Sequence, residues 1–174
     1  MKHTLVVFHS RSGHTRRVAQ ALAGRLDADL EEIRTRHPRR GEPGILRCLL
    51  ESVLGLVPAI RPLRHDPSRY RGVIIGMPVW AWNLPGPVRA WARGHPVGDA
   101  RLAFFCTMGG SGAARVFSQL EAELGRVPDA TLAVTEAQLE ADLDPLLDAF
   151  VARLASLAPE SAPVHARPVP GRPR

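Results

Sequence analysis

Thr4-Leu5-Val6-Val7-Phe8-His9-Ser10-Arg11-Ser12-Gly13-His14-Thr15 is the stretch on which the fold turns. Five residues of β-type composition run into three hydroxyls and a glycine. Val18, Ala19, Leu22, Ala23 and Leu26 then recur at helical spacing, with Arg16, Arg17 and Gln20 on the other face. A strand that passes through such a turn directly into a helix makes an anion site. Backbone N–H groups and the positive end of the helix dipole point at the ligand, and the hydroxyls add hydrogen bonds. The Gly-Lys-Ser/Thr ending of a nucleoside-triphosphate loop is missing, and one glycine does not make GxGxxG. A phosphomonoester therefore fits better than a dinucleotide or a triphosphate. The alternative left open is that Ser10 or Ser12 simply caps the helix.

Working outward, the same alternation repeats. Residues 30–33 read as a second strand, followed by a basic loop over 35–44 and a helix over 45–57 with Leu46, Leu49, Leu50, Val53 and Leu54 in an apolar stripe. Continuous apolar runs at 72–77 and 102–106 fit strands covered on both faces. Helices are expected from Pro87, over 112–124 and over 136–157, with a fifth strand at 130–134; Pro145 either kinks the last helix or marks a restart. Five βα units in a row argue a parallel sheet with helices on both faces. One domain is expected over 1–158, with residues 159–174, which hold five prolines, as a disordered Pro/Arg-rich tail.

Composition narrows the function classes. The chain has 174 residues, a net charge of +6, 45% hydrophobic residues and 5% aromatic residues. Residues 34–40 contribute +4 and the tail +2, so the remainder is neutral as a whole. A groove-lining basic face interleaved with aromatics is missing, which argues against nucleic-acid binding. No apolar run is long enough for a membrane span, and the start does not read as a signal peptide. Cys48 and Cys106 form neither a metal motif nor a disulfide framework, which fits a reduced, cytoplasmic protein. Cys106, at the end of an apolar strand, reads as a small core hydrophobe.

Three segments carry a resemblance. Ser10-x-Ser12-Gly13-x-Thr15 after an apolar strand resembles the FMN-phosphate loop of the flavodoxin family. Gly76-Met77-Pro78-Val79-Trp80-Ala81, followed by Pro85-x-Pro87-Val88, is similar to that family's second flavin loop. Phe105-Cys106-Thr107-Met108-Gly109-Gly110-Ser111-Gly112 resembles the third flavin loop of its short-chain, flavodoxin-like enzyme relatives. The three fall in the right order, each after an expected strand, and the resemblance spans about residues 1–157. It implies a flavodoxin-like α/β fold: three layers around a doubly wound five-stranded parallel sheet of order 2-1-3-4-5, with the ligand beyond the carboxyl ends of strands 1 and 3.

The resemblance further implies FMN as cofactor. Ser10, Arg11, Ser12, Gly13, His14 and Thr15 would hold its phosphate, and Pro78, Val79, Trp80, Ala81 and Asn83 would form the second loop. Thr107, Met108, Gly109, Gly110, Ser111 and Gly112 would form the third. Trp80 is placed to stack on the isoalloxazine ring, whereas Trp82 reads as a core residue. A helix-start or surface role is the expectation for His9 and His14. No catalytic side chain is expected, because the flavin carries the redox chemistry.

The chain also departs from the family. Electron-carrier flavodoxins place a tyrosine in the third loop, but the one tyrosine here is Tyr70, before strand 3. The outer ring face is then covered by Met108, by a partner, or by nothing. Where many relatives have glycine soon after the loop tryptophan, this chain has Ala81-Trp82-Asn83, of which Asn83 tolerates positive φ better than most residues. The carriers are acidic and this chain is basic. The leading expectation is an FMN-binding redox protein that uses NAD(P)H to reduce quinone-like acceptors. The alternatives are an electron shuttle between protein partners and a scaffold that binds FMN weakly. Arg34, Arg36, Arg39 and Arg40 would lie at the carboxyl edge, either attracting an anionic cofactor or acidic partner or forming a solvated loop. The helix over 45–57 either packs on the sheet, caps the flavin edge or joins a homodimer.

Overall fold

A computed structural model describes residues 2–36 and 53–157. The described elements are β1 (Thr4–Phe8), α1 (His14–Leu26), β2 (Asp29–Glu32), β3 (Gly72–Pro78), α2 (Gly86–Gly94), β4 (Arg101–Met108), α3 (Ala113–Leu124), β5 (Ala130–Thr135), α4 (Glu136–Glu140) and α5 (Asp144–Ser156). The five strands form one sheet of order β2-β1-β3-β4-β5, and every described pairing is parallel. This is the architecture expected from the sequence.

Burial along the strands explains their composition. Within β1, β3 and β4 every interior residue is buried, as is Phe8 at the end of β1, because helices cover both faces; the edge strand β5 alternates. One face carries Leu5, Val7, Ile75, Leu102 and Phe104 against Val88 and Trp91 of α2 and Val116 and Leu120 of α3. The other carries Val6, Phe8, Ile74, Ala103 and Phe105 against Val18 and Leu22 of α1 and Leu147 and Phe150 of α5. Gly76 is required by this second face, since a Cβ there would lie 2.0 Å from the Phe105 ring.

Three expectations need correction. The second strand is Asp29–Glu32, one residue earlier than read. Ile33 is fully buried just beyond it, with its N–H donating to Phe8 O at 2.7 Å. The last helix is two helices. Thr135 and Gln138 form a reciprocal capping box on α4, and Pro145 sits in the first turn of α5, so it marks a restart rather than a kink. Of the helix expected over 45–57, residues 45–52 lie outside the described residues, while Val53 and Leu54, read as part of its apolar stripe, are exposed rather than packed on the sheet. The tail beyond residue 157 and Cys48 also lie outside the described residues.

The α2–α3 face holds an ion cluster. Glu123 accepts from Arg93 Nε at 2.6 Å and from Arg89 Nε at 2.9 Å, and the Arg89 side chain is nearly buried. Hydrogen bonding from Arg93, with the charges of both arginines, holds the Glu123 carboxyl below the usual carboxylate range. Its stabilisation is therefore full above that range and is lost as pH falls through the lowered folded-state value. Glu123→Gln is expected to cost about 1–3 kcal/mol at neutral pH. Urea denaturation should show the deficit shrinking in acid; a deficit independent of pH would contradict the assignment.

Candidate functional site

The turn between β1 and α1 is built by Gly13, whose φ of 102° is open to glycine and strained for other residues. Ser10 Oγ accepts the Gly13 N–H at 3.2 Å. That bond ends one residue short of the helix, so no side chain caps α1, and its first turn holds no acidic residue. The capping role left open for Ser10 or Ser12 is not taken up. The free N–H groups of the first turn face the loop, where Arg11, Ser12 and His14 are exposed. Thr15 is different: it is 1% exposed, and its hydroxyl lies 2.8 Å from the Thr107 hydroxyl.

The second loop leaves β3 at Pro78 and doubles back at once. Val79 N–H donates to Thr107 O at 2.9 Å, and Asn83 N–H donates to Trp80 O at 2.9 Å. Positive φ at both central residues, Ala81 (47°) and Trp82 (59°), is the signature of a tight I′-type turn. Positive φ therefore falls on Ala81 and Trp82 and not on Asn83, the residue of the three that tolerates it best. Asn83 acts through its side chain: its amide donates to Ala81 O at 2.6 Å and its oxygen accepts from Gln119 Nε2 at 3.0 Å. Gln119 Oε1 in turn accepts the Leu84 N–H at 2.6 Å. Non-glycine residues in this conformation are costly and persist where surrounding bonds over-determine them.

The same turn corrects the assignment of the tryptophans. Trp80 is half-buried and meets the His9 ring edge-on, with centroids 5.4 Å apart. Trp82 is 60% exposed, and its indole N–H donates to Ser111 Oγ at 3.0 Å, so it is no core residue. Trp91, fully buried under the sheet, takes that part.

The third loop continues β4 through Met108, which is half-buried, to exposed Gly109, Gly110 and Ser111. Gly112 then precedes α3 with φ 107°, again with no side-chain cap. A Cβ at Gly112 would lie 2.8 Å from Val79 Cγ1 and 3.0 Å from Trp82 Cδ1, so the second loop packs directly on this glycine. No tyrosine reaches the site. Tyr70 lies before β3, with its hydroxyl 2.7 Å from Asp29 and from His65; burial first, then the Asp29 bond, pushes it up to about 12.

The three loops thus meet at the carboxyl edge of β1, β3 and β4. His9 and Trp80 join the first to the second, Trp82 and Ser111 the second to the third, and Thr15 and Thr107 the first to the third. His9, Trp82 and Gln119 were not among the expected site residues. Cys106 stays out of the chemistry: it is fully buried, and burial pushes its thiol up to about 12. Among the described residues no group of histidine, cysteine or acidic side chains could hold a metal, and no helix is long and apolar enough to cross a membrane. Of the basic loop, Arg34 pairs with Glu32 at 2.5 Å, as Arg16 does, while Arg39 and Arg40 lie outside the described residues.

No family model and no curated protein matches the chain. Solved structures do. A protein from Bacteroides uniformis ATCC 8492 described as a flavoprotein superposes with a TM-score of 0.72 at 18% identity, over 84% of this chain and 96% of that one. A flavoprotein from Lactobacillus acidophilus NCFM in complex with FMN gives 0.63 at 20% identity, over 80% and 97%. A short-chain flavodoxin associated with a bacterial microcompartment gives 0.50 at 11% identity, over 90% and 98%. With the strand order, these likenesses establish a flavodoxin-like α/β fold.

Proposed function

We propose that this chain binds FMN at the carboxyl edge of the sheet and works as an NAD(P)H-dependent reductase of quinone-like acceptors. The observation that carries FMN binding is the pair of helices, α1 and α3, that open on glycines of positive φ without a side-chain cap, with a tryptophan-bearing loop between them. Uncapped N–H donors suit a phosphate at one loop and ring carbonyls at the other. The space beyond the Cα of Gly13, Gly109 and Gly110 is open, as a cofactor cradle requires. The FMN complex of the L. acidophilus protein supports the same cofactor.

Ser10, Arg11, Ser12, Gly13 and His14 would hold the phosphate. Pro78, Val79, Trp80, Ala81 and Asn83 would shape one side of the ring site, and Met108, Gly109, Gly110, Ser111 and Gly112 the other. FMN supplies, when bound, reversible uptake of a hydride or of single electrons at its ring. The chain's own part is to orient the ring, to exclude water with Trp80 and Trp82, and to place backbone donors at its edge. With no tyrosine in the third loop, room is left beside the ring for a small acceptor.

One observation favours the shuttle as a second reading. Val53, Leu54, Leu56 and Val57 are exposed, and Leu56 O and Pro58 pack against Gly86 at the start of α2, next to the second loop. Trp82 in the second loop is exposed as well, and exposed apolar surface of this kind is what a protein partner covers. The deciding experiment is an absorbance spectrum of the purified protein, followed by NADH and NADPH oxidation with and without a quinone. A yellow protein that consumes NAD(P)H rapidly with quinone is expected. Slow turnover with fast reduction by a reductase protein would favour the shuttle, and a colourless protein that takes up no added FMN would leave only the scaffold.

A further inference from the structure

Thr107 is turned inward, with its polar groups engaged within the protein. It is 5% exposed, its carbonyl accepts the Val79 N–H at 2.9 Å, and its hydroxyl lies 2.8 Å from Thr15 Oγ1, 92 residues away in the chain. Its backbone is held on both sides by the sheet, paired with Pro78 of β3 and Val134 of β5. The residue at the other end of the bond, Thr15, is the second residue of α1, whose start has no side-chain cap. The N–H of that helix position is one of the donors that a cap or an anion must satisfy.

We propose that Thr107 is a positioning residue for the anion bound at the start of α1. Its hydroxyl pins Thr15 to the rigid centre of the sheet, and so sets the direction of the first-turn N–H groups before any ligand arrives. When Thr107 donates to Thr15 Oγ1, the Thr15 hydroxyl keeps its own proton for a further acceptor, so the pair can pass its polarity towards the anion. A residue in the ring loop thereby controls the grip on phosphate. This rests on the FMN reading for its physiological ligand, but not for its test.

Thr107→Val keeps the shape and removes the hydroxyl, and Thr107→Ser restores it. The Val variant is expected to weaken FMN binding about tenfold while riboflavin, which lacks the phosphate, changes by less than about twofold; Ser should recover FMN affinity. Inorganic phosphate alone, followed by the amide NMR shifts of Gly13, His14 and Thr15, should titrate at correspondingly higher concentration in the Val variant. Equal weakening of FMN and riboflavin would reduce Thr107 to a prop of the loops and overturn the proposal, as would unchanged affinity for both. If the wild type takes up phosphate at these amides but no FMN, the cofactor assignment fails and the phosphate titration still decides this one. If it takes up neither, both fall.

Discussion

Ser12→Asp is expected to lower FMN affinity at least about a hundredfold while leaving the fold intact. Ser12 is exposed beside the uncapped start of α1, so a carboxylate there has water around it and costs the apoprotein little. It would even compete for the helix N-terminus, where an acidic side chain is favourable. Against a phosphate dianion the balance reverses. Two like charges about 4 Å apart at an effective dielectric constant of 20 repel by about 4 kcal/mol, of which a hundredfold loss takes up about 2.7 kcal/mol. Fluorescence titration of the apoprotein measures the effect, with riboflavin as the control ligand. An FMN affinity equal to wild type would remove Ser12 from the phosphate site.

The second large effect concerns two glycines in nearly the same conformation. Gly13 (φ 102°) has nothing within 4 Å of where its Cβ would be, whereas at Gly112 (φ 107°) Val79 and Trp82 stand at 2.8 and 3.0 Å. Alanine at either position carries the positive-φ penalty of about 1–2 kcal/mol. Only at Gly112 does it also push the second loop away, adding about 1–3 kcal/mol of overpacking strain. Gly112→Ala is therefore expected to lose more stability to urea than Gly13→Ala, and to change the fluorescence of Trp82 as its bond to Ser111 is displaced. Gly13→Ala should show its main effect on FMN binding, because its methyl group enters the open space above the first turn. Equal losses of stability in the two variants would mean that the second loop does not rest on Gly112.

How much of this was legible in the chain depends on the range of the forces involved. Gly72-Val73-Ile74-Ile75-Gly76-Met77 reads as a doubly covered strand because burial on both faces erases the polar alternation, which is a local property of composition. The start of α1 is equally local, since a hydroxyl-rich turn with one glycine precedes apolar residues at helical spacing. Trp82 was misread for an equally definite reason. The sequence around it, Val79-Trp80-Ala81-Trp82-Asn83, looks like apolar chain, and residue-type preference alone sends a tryptophan inward. The two-residue turn at Ala81 and Trp82 reverses the chain within that stretch and leaves the second tryptophan outside. The positive φ falls on Ala81 and Trp82 because the Asn83 N–H closes the turn onto Trp80 O and leaves those two residues central, while the Asn83 side chain meets Gln119 on α3, a contact no local propensity encodes.

By itself, then, the amino-acid sequence determined the parallel five-stranded architecture, its strand order through the resemblance, and the three loops proposed to hold the cofactor. The strands and the glycine- and hydroxyl-bearing loops follow from short-range patterning, whereas the strand order follows from the resemblance alone. Only the tertiary structure decided what joins the loops: Thr15 to Thr107, Trp82 to Ser111, His9 to Trp80 and Asn83 to Gln119. Such pairs are made by side chains from elements far apart in sequence. Their geometry exists only once the crossovers have brought the carboxyl ends of β1, β3 and β4 side by side.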